Sequence, residues 1–157
     1  MERKEKKFFP LFIDFTQKKA VVIGGGKIAT RRIQTLLDFV GEITVIAPAC
    51  TKEIEILYEK NEILYQQKKY EKSDIKDADM VLAVTDDSAL NEEIYKICKE
   101  KNILVNVASN QEKCDFHFPG ILEYEDVVIG FNGYGKDHKK VRKVREMIQE
   151  MLSHKGE

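Results

Sequence analysis

The sequence predicts an α/β fold: a mostly parallel sheet with helices on both faces, followed by a small strand-and-helix segment. Three observations carry this. Apolar runs rich in β-branched residues alternate with amphipathic stretches at helical spacing as far as residue 107. The first run ends in Gly24, Gly25 and Gly26, directly before a helical pattern. Beyond residue 112 the pattern changes to short apolar runs broken by Gly and Pro, then one charged helix. Alternating strands and helices bury a parallel sheet between helical layers. The expected division is one unit over 1–112 and a second over 113–157.

Taken in order, residues 8–15 are an aromatic lead-in that Pro10 keeps from forming a long helix. Its expected job is to cover an edge or the bottom of the sheet. Residues 19–23 read as the first strand, apolar nearly throughout, as a strand covered on both faces should be. Residues 27–40 read as a helix with Ile28, Ala29, Ile33, Leu36, Leu37 and Val40 on one face. Gly41 is expected to turn the chain into a strand at 43–47, which Pro48 ends. A helix at 52–60 and a short strand at 62–66 follow, then a polar loop with a brief helix at 68–76. Residues 80–84 are a fourth buried strand, 89–101 a helix with Leu90, Ile94, Ile97 and Cys98 inward, and 103–107 a fifth strand. Residues 116–120 and 124–131 read as antiparallel strands. Residues 137–152 read as a helix with a narrow seam of Val141, Val144, Ile148 and Met151. So small a unit buries little by itself, and a homodimer is expected.

Composition narrows the function classes. The chain has 157 residues and is 43% hydrophobic, enough for one ordinary core. Its net charge of −1 argues against a nucleic-acid or membrane partner. The basic start, Arg3 to Lys7, leads into no long apolar run, so a cytoplasmic location is expected. Cys50, Cys98 and Cys114 are odd in number and match neither a disulfide framework nor a zinc pattern. Cys114, Asp115 and His117 lie close in sequence, but their spacing is not that of a metal site, and no metal is expected.

The chemistry centres on the glycines. Gly24, Gly26 and Ala29 stand at the G-x-G-x-x-A spacing of a Rossmann-like dinucleotide turn. In that turn the first glycine permits the tight bend, the second lets the backbone approach a pyrophosphate, and the helix N-terminus offers free N–H groups. Arg31 and Arg32 fall on the polar side of the first turns, where cations oppose the helix dipole. An anionic ligand would relieve that conflict; the alternative is two solvated surface arginines. A typical NAD site also has an acid about 20 residues past the glycines for the ribose. Here Ile46-Ala47-Pro48-Ala49 holds none. Either main chain and small residues hold the ribose, or the cofactor choice is relaxed, with Lys52 raising NADP. Thr85 ends the fourth strand, where an open sheet places its ligand crevice, and Asp87 is expected to cap the next helix. Lys136, Lys139, Lys140, Arg142, Lys143 and Arg145 crowd the start of the last helix and suit a molecule with several carboxylates.

Several blocks together resemble the precorrin-2 dehydrogenases, the dehydrogenases of siroheme synthesis that also form the N-terminal part of siroheme synthases. The blocks are Phe9-Pro10-Leu11-Phe12, the run from Val22 to Arg32, Ile43 to Pro48, Ala83 to Asp87 with Asn91, Val105 to Ala108, and Cys114 to Pro119. The resemblance spans roughly residues 8–152. It implies NAD-dependent oxidation of precorrin-2, a tetrapyrrole bearing many carboxylates, to sirohydrochlorin by a homodimer. It implies cofactor contacts at Gly24, Gly25, Gly26, Lys27, Ile28, Pro48 and Ala49, and the Ala-Pro strand ending belongs to the same pattern. Substrate contacts are expected at Asn106, Lys139, Arg142 and Lys143. Where the family often places an acid after the fifth strand, this chain has Ser109-Asn110, neither of which can act as a carboxylate base, so that role is vacant or moves to Asp115 or His117; Ser109 stays among the expected catalytic residues. An imidazole, which ordinarily titrates near about 6.5, suits proton transfer near neutrality. The family's Gly-x-Ser-Pro turn is replaced by Gly135-Lys136-Asp137-His138. Some relatives with a further helical region also insert iron; that activity is not expected here. The rival reading is a non-catalytic protein that binds NAD or a tetrapyrrole for regulation.

Overall fold

The computed structural model describes residues 7–154; most of the basic start, at residues 3–6, lies outside them. The described residues form two compact units, Ile13–Phe116 and residues 7–12 with 117–154.

The larger unit carries strands β1 (Phe15–Ile23), β2 (Val40–Ile46), β3 (Leu64–Gln66), β4 (Met80–Ala83) and β5 (Leu104–Val107). Its helices are α1 (Lys27–Leu36), α2 (Lys52–Glu59) and α3 (Ser88–Lys101), with a short 3-10 turn at Lys72–Ile75. All strand pairs are parallel, in the order β3-β2-β1-β4-β5. Chain connections therefore run one way from β1 and the other way from β4, so the β1/β4 boundary is the topological switch point.

Register explains the two helical layers. Val45, Val22, Leu82 and Asn106 stand opposite one another across the sheet, so their side chains share a face. The other face presents Val21, Ile23, Ile46, Val81, Ala83, Val105 and Val107, all buried against Ile75, Ile94 and Cys98. Thus α3 covers that second face with Ile94 and Cys98, both fully buried. On the first face α1 buries Ala29, Ile33 and Leu36. The helix caps follow the sequence: Thr51 accepts from Ile54 N–H, and Asp87 accepts from the N–H groups of Ala89 and Leu90.

Several sequence expectations shift, among them the start of β1, at Phe15 where residue 19 was expected. Helix α1 stops at Leu36, and Val40 opens β2. Gly41 lies inside β2, not in a turn, and is glycine because a Cβ there would stand 2.3 Å from the Thr16 carbonyl oxygen of β1. The antiparallel strands lie at Gly120–Tyr124 and Val127–Phe131, where 116–120 and 124–131 were expected.

The smaller unit pairs β6 (Gly120–Tyr124) with β7 (Val127–Phe131) antiparallel and adds α4 (His138–Ser153), capped by Asp137. Gly120 faces Val141 and Arg145 of α4. Of the seam expected on this helix, Val144 and Met151 are exposed, together with Met147. In the lead-in, Phe9, Leu11 and Phe12 are exposed, whereas the Phe8 ring lies 4.3 Å from that of His117 and 6.0 Å from that of Tyr134.

Candidate functional site

The site is built on the C-terminal ends of the parallel strands. There the turns after β1, β2, β4 and β5 bring Gly24–Gly26, Pro48–Cys50, Thr85 and Ser109 to one edge of the sheet.

The glycine turn has three distinct requirements. Gly24 has φ +120°, and a Cβ there would lie 2.5 Å from the Val84 carbonyl oxygen of the neighbouring strand end. At Gly25 a Cβ would lie 2.4 Å from the Ala49 carbonyl oxygen. These two glycines let the turn pack against the loops on either side. Gly26 is different: a Cβ there meets no atom within 4 Å. Its backbone, φ −83° and ψ −170°, is open to any residue. The protein interior gives no reason for glycine at 26; a ligand that approaches the backbone does.

Gly26 also N-caps α1, with no side chain capping the helix and no acid in its first turn. The first N–H groups of α1 are thus left for another acceptor. A chain of hydroxyls steadies the turn from beneath. The Ile54 N–H bonds to Thr51 Oγ1; Thr51 and Thr30 hydroxyls are 2.7 Å apart; Thr30 Oγ1 donates to the Gly26 carbonyl at 3.1 Å. The backbone N–H of Thr51 donates to the Gly25 carbonyl at 2.9 Å. Lys27 and Ile28 are exposed beside the turn, as are Pro48 and Ala49 across from it. Tyr65 Oη donates to the Ala47 carbonyl and Gln67 Nε2 to the Pro48 carbonyl, which fixes that loop. Burial, with Cys50 alongside, pushes the Tyr65 phenol up to about 12, so it stays a donor.

Thr85 and Ser109 share a partner. Asn91, buried on α3, accepts from the Thr85 N–H and hydroxyl and donates back to the Thr85 carbonyl. Its Nδ2 also lies 3.4 Å from Ser109 Oγ. The sequence marked Asn91 only through the resemblance; here it ties the ends of β4 and β5 together.

Two expected residues are placed differently from a direct catalytic or substrate contact. Asn106 is only 3% exposed. Its Oδ1 accepts from Arg32 Nη1, and its Nδ2 donates to the Phe116 carbonyl at 2.8 Å. Asp115 accepts from the Lys99 ammonium at 2.6 Å and from the Val105 N–H at 3.1 Å, so both of its oxygens are engaged by the fold. Arg32 is half-buried and not one of two solvated arginines; burial lowers its pKa first, with Cys114 opposing. Burial also raises the Cys114 thiol, which packs its sulfur against the Val107 N–H.

In the smaller unit His117 lines a shallow cavity with Phe118, Asn132, Gly133, Gly135, Asp137 and His138. Tyr134 in this loop has φ +56°. On α4, Lys139 and Lys143 are exposed, and Arg142 is paired with Glu146 at 2.8 Å. Among the described residues no group of three or more His, Cys, Asp or Glu is arranged to hold a metal ion, and no helix is long and apolar enough to cross a membrane.

Residues 11–120 match the family described as putative NAD(P)-binding. The chain belongs to this NAD(P)-binding family. The chain is 40% identical over 144 residues to the "Probable multifunctional siroheme biosynthesis protein HemA" of Ruminiclostridium josui, covering 91% of this chain and 28% of that protein. It is 35% identical over 147 residues to the "Siroheme synthase" of Ruthia magnifica subsp. Calyptogena magnifica, covering 94% and 31%. The chain thus spans about three-tenths of the length of these relatives. Among solved structures it is similar to "SirC, precorrin-2 dehydrogenase", with a TM-score of 0.77, 26% identity, and coverage of 91% of this chain and 70% of that one.

Proposed function

We propose that the chain is an NAD-dependent dehydrogenase that oxidises precorrin-2 to sirohydrochlorin in siroheme biosynthesis, working as a homodimer. The observation that carries the cofactor half is Gly26, a glycine that nothing within the protein requires, at the uncapped start of α1. The substrate half is supported by the likeness to SirC over nine-tenths of the chain and by the basic start of α4.

The residues that would hold NAD are Gly24 to Ile28 around its diphosphate, Pro48 and Ala49 beside the adenosine ribose, and Thr85 at the switch point. When bound, the nicotinamide supplies the hydride acceptor, the hard part of the reaction. The α1 N–H groups bind the diphosphate and orient the cofactor. No carboxylate follows β2, and the absence of an acid there weakens discrimination against a 2′-phosphate; we take NAD as the working cofactor. Lys139, Arg142 and Lys143 bind the carboxylates of the macrocycle. Loss of a hydride from one macrocycle carbon must be accompanied by loss of a proton. His117 is the group we assign to take it, because an imidazole suits proton transfer near neutrality and the Ser109 hydroxyl is a weak base. A cytoplasmic setting is part of this reading.

The homodimer reading is supported by what the smaller unit leaves exposed: Val127 and Val128 on β7, and Val144, Met147 and Met151 on α4.

The test is anaerobic turnover of precorrin-2 with NAD and, separately, NADP. Sirohydrochlorin formation with a higher kcat/KM for NAD is expected; no turnover with either cofactor by folded protein would exclude the dehydrogenase reading and leave a binding protein.

A further inference from the structure

We infer that Ser109 donates a hydrogen bond to the nicotinamide carboxamide, and that buried Asn91 is the positioning residue that turns the Ser109 hydroxyl outward. The inference rests on the NAD reading above and names what holds the reactive end of that cofactor.

The Ala108 N–H donates to the Ala83 carbonyl at 3.0 Å, just past the end of β5. Beyond that bond the Asn91 carboxamide, reaching in from α3, takes the place of a strand neighbour for Thr85. Its Oδ1 accepts from the Thr85 N–H at 3.2 Å, and its Nδ2 donates to the Thr85 carbonyl at 2.9 Å. A backbone N–H only donates and a carbonyl only accepts, so the amide has a single orientation. Asn91 is 1% exposed, and this bonding is what lets a polar group stand there. The second proton on Nδ2 goes to Ser109 Oγ, 3.4 Å away. Ser109 is exposed, and among the described residues this is the one hydrogen bond its side chain makes. The Ser109 oxygen therefore accepts from within, and its own proton is left to donate toward the crevice.

The order of the strand ends decides what that donor meets. The diphosphate belongs at the glycine turn after β1, and the adenosine ribose beside the loop after β2. The sheet order β3-β2-β1-β4-β5 leaves the ends of β4 and β5 for the other nucleoside. Thr85 comes first, its backbone N 3.2 Å from where a Cβ on Gly24 would stand. Ser109 comes next, two strand spacings, or about 10 Å, from β1. A ribose joined to the diphosphate reaches Thr85, and the ring beyond it reaches Ser109. The nicotinamide ring carries a carboxamide, and its carbonyl oxygen is the acceptor an outward hydroxyl suits. A carboxylate at 91 would only accept, drawing the Ser109 proton inward and away from the ring.

The experiment is calorimetric titration of the full chain and its variants with NAD and with ADP-ribose, which ends at the ribose. Ser109→Ala should weaken NAD about 3- to 10-fold, the loss of one hydrogen bond, and leave ADP-ribose within about twofold. Ser109→Thr keeps a hydroxyl and should hold NAD within about twofold of the original chain. Asn91→Asp keeps the acceptor facing the Thr85 N–H but removes the donor to Ser109. It should weaken NAD by the same factor as Ser109→Ala and spare ADP-ribose, and adding Ser109→Ala to it should bring no further loss. A role in the fold alone would weaken both ligands alike. NMR tests the Asn91 part without touching the core: in Ser109→Ala one Asn91 side-chain N–H resonance should shift while the other, bonded to Thr85, holds. An unchanged NAD Kd in Ser109→Ala, or an equal loss for ADP-ribose, overturns the contact. Two unmoved Asn91 resonances, or a further loss of NAD affinity in the double variant, overturn the positioning. Should the original chain bind neither ligand, the NAD reading fails and takes the inference with it; should it bind both, and Ser109→Ala bind both as well, the inference alone falls.

Discussion

Replacing Gly26 by Asp separates what the fold needs from what a ligand needs. A side chain at 26 meets no protein atom within 4 Å, and φ −83° with ψ −170° is unstrained for an L residue. Asp is a better N-cap than Gly by about a few tenths of a kcal/mol, and its charge suits the helix N-terminus by about 0.3–1 kcal/mol. Gly26→Asp should therefore melt at the original temperature or slightly above it. A diphosphate over the same N–H groups experiences the opposite. Two unit charges 4 Å apart repel by about 1 kcal/mol in water and about 4 kcal/mol near a protein surface. With two phosphate charges the weak limit is about 2 kcal/mol, roughly 30-fold in Kd. Calorimetric titration of NAD and a thermal melt, run on both proteins, decide it. An unchanged Kd would show that the turn does not receive the diphosphate. A Tm lower by several degrees would show that the fold does need glycine at 26.

Four further outcomes are expected. Gly24→Ala, forced to φ +120° and against the Val84 carbonyl, should lose at least about 2 kcal/mol of stability in urea melts. Hydrogen bonds from the Lys19 N–H and then the Lys18 ammonium hold the Asp79 carboxyl below its ordinary 3.8. A depressed acid stabilises the fold above its ordinary value and loses that effect as pH falls through the lowered one. The Tm gap between the original chain and Asp79→Asn should therefore be level above about pH 5 and close below about pH 4. Cys98 is fully buried and its thiol is pushed up to about 12 by that burial, so an exposed-thiol reagent should label it only after unfolding. Met147→Glu with Met151→Glu should shift sedimentation toward monomer while leaving the NAD affinity intact, and an unaltered dimer would move the interface elsewhere.

The alternation of strands and helices and the parallel sheet were legible because each buried strand is a short β-branched run and each helix carries its own apolar face. The helix cap at Asp87 is a local feature, and the local pattern reveals it. Gly41 was misread because its reason is a neighbour distant in sequence: the register shift in β1 between Phe15 and Lys19 brings the Thr16 carbonyl against it. Arg32 and Asn106 show the same limit at the site. Helical periodicity puts Arg32 on a polar face, and nothing local says that this face meets Asn106, buried in β5. Asp115 reads in sequence as a candidate base, whereas its two oxygens accept from Lys99 and the Val105 N–H. A buried Asn at the end of a strand of otherwise apolar residues was the available signal for the Arg32 contact.

The most direct measurement of the central claim is a stoichiometry. Precorrin-2 and NAD are mixed with the protein without oxygen, and the absorbance of NADH and of sirohydrochlorin is followed together. One NADH should appear per sirohydrochlorin at the same rate, and both should fall together in Gly26→Asp. Sirohydrochlorin formed without NADH, or at full rate in Gly26→Asp, would contradict the account.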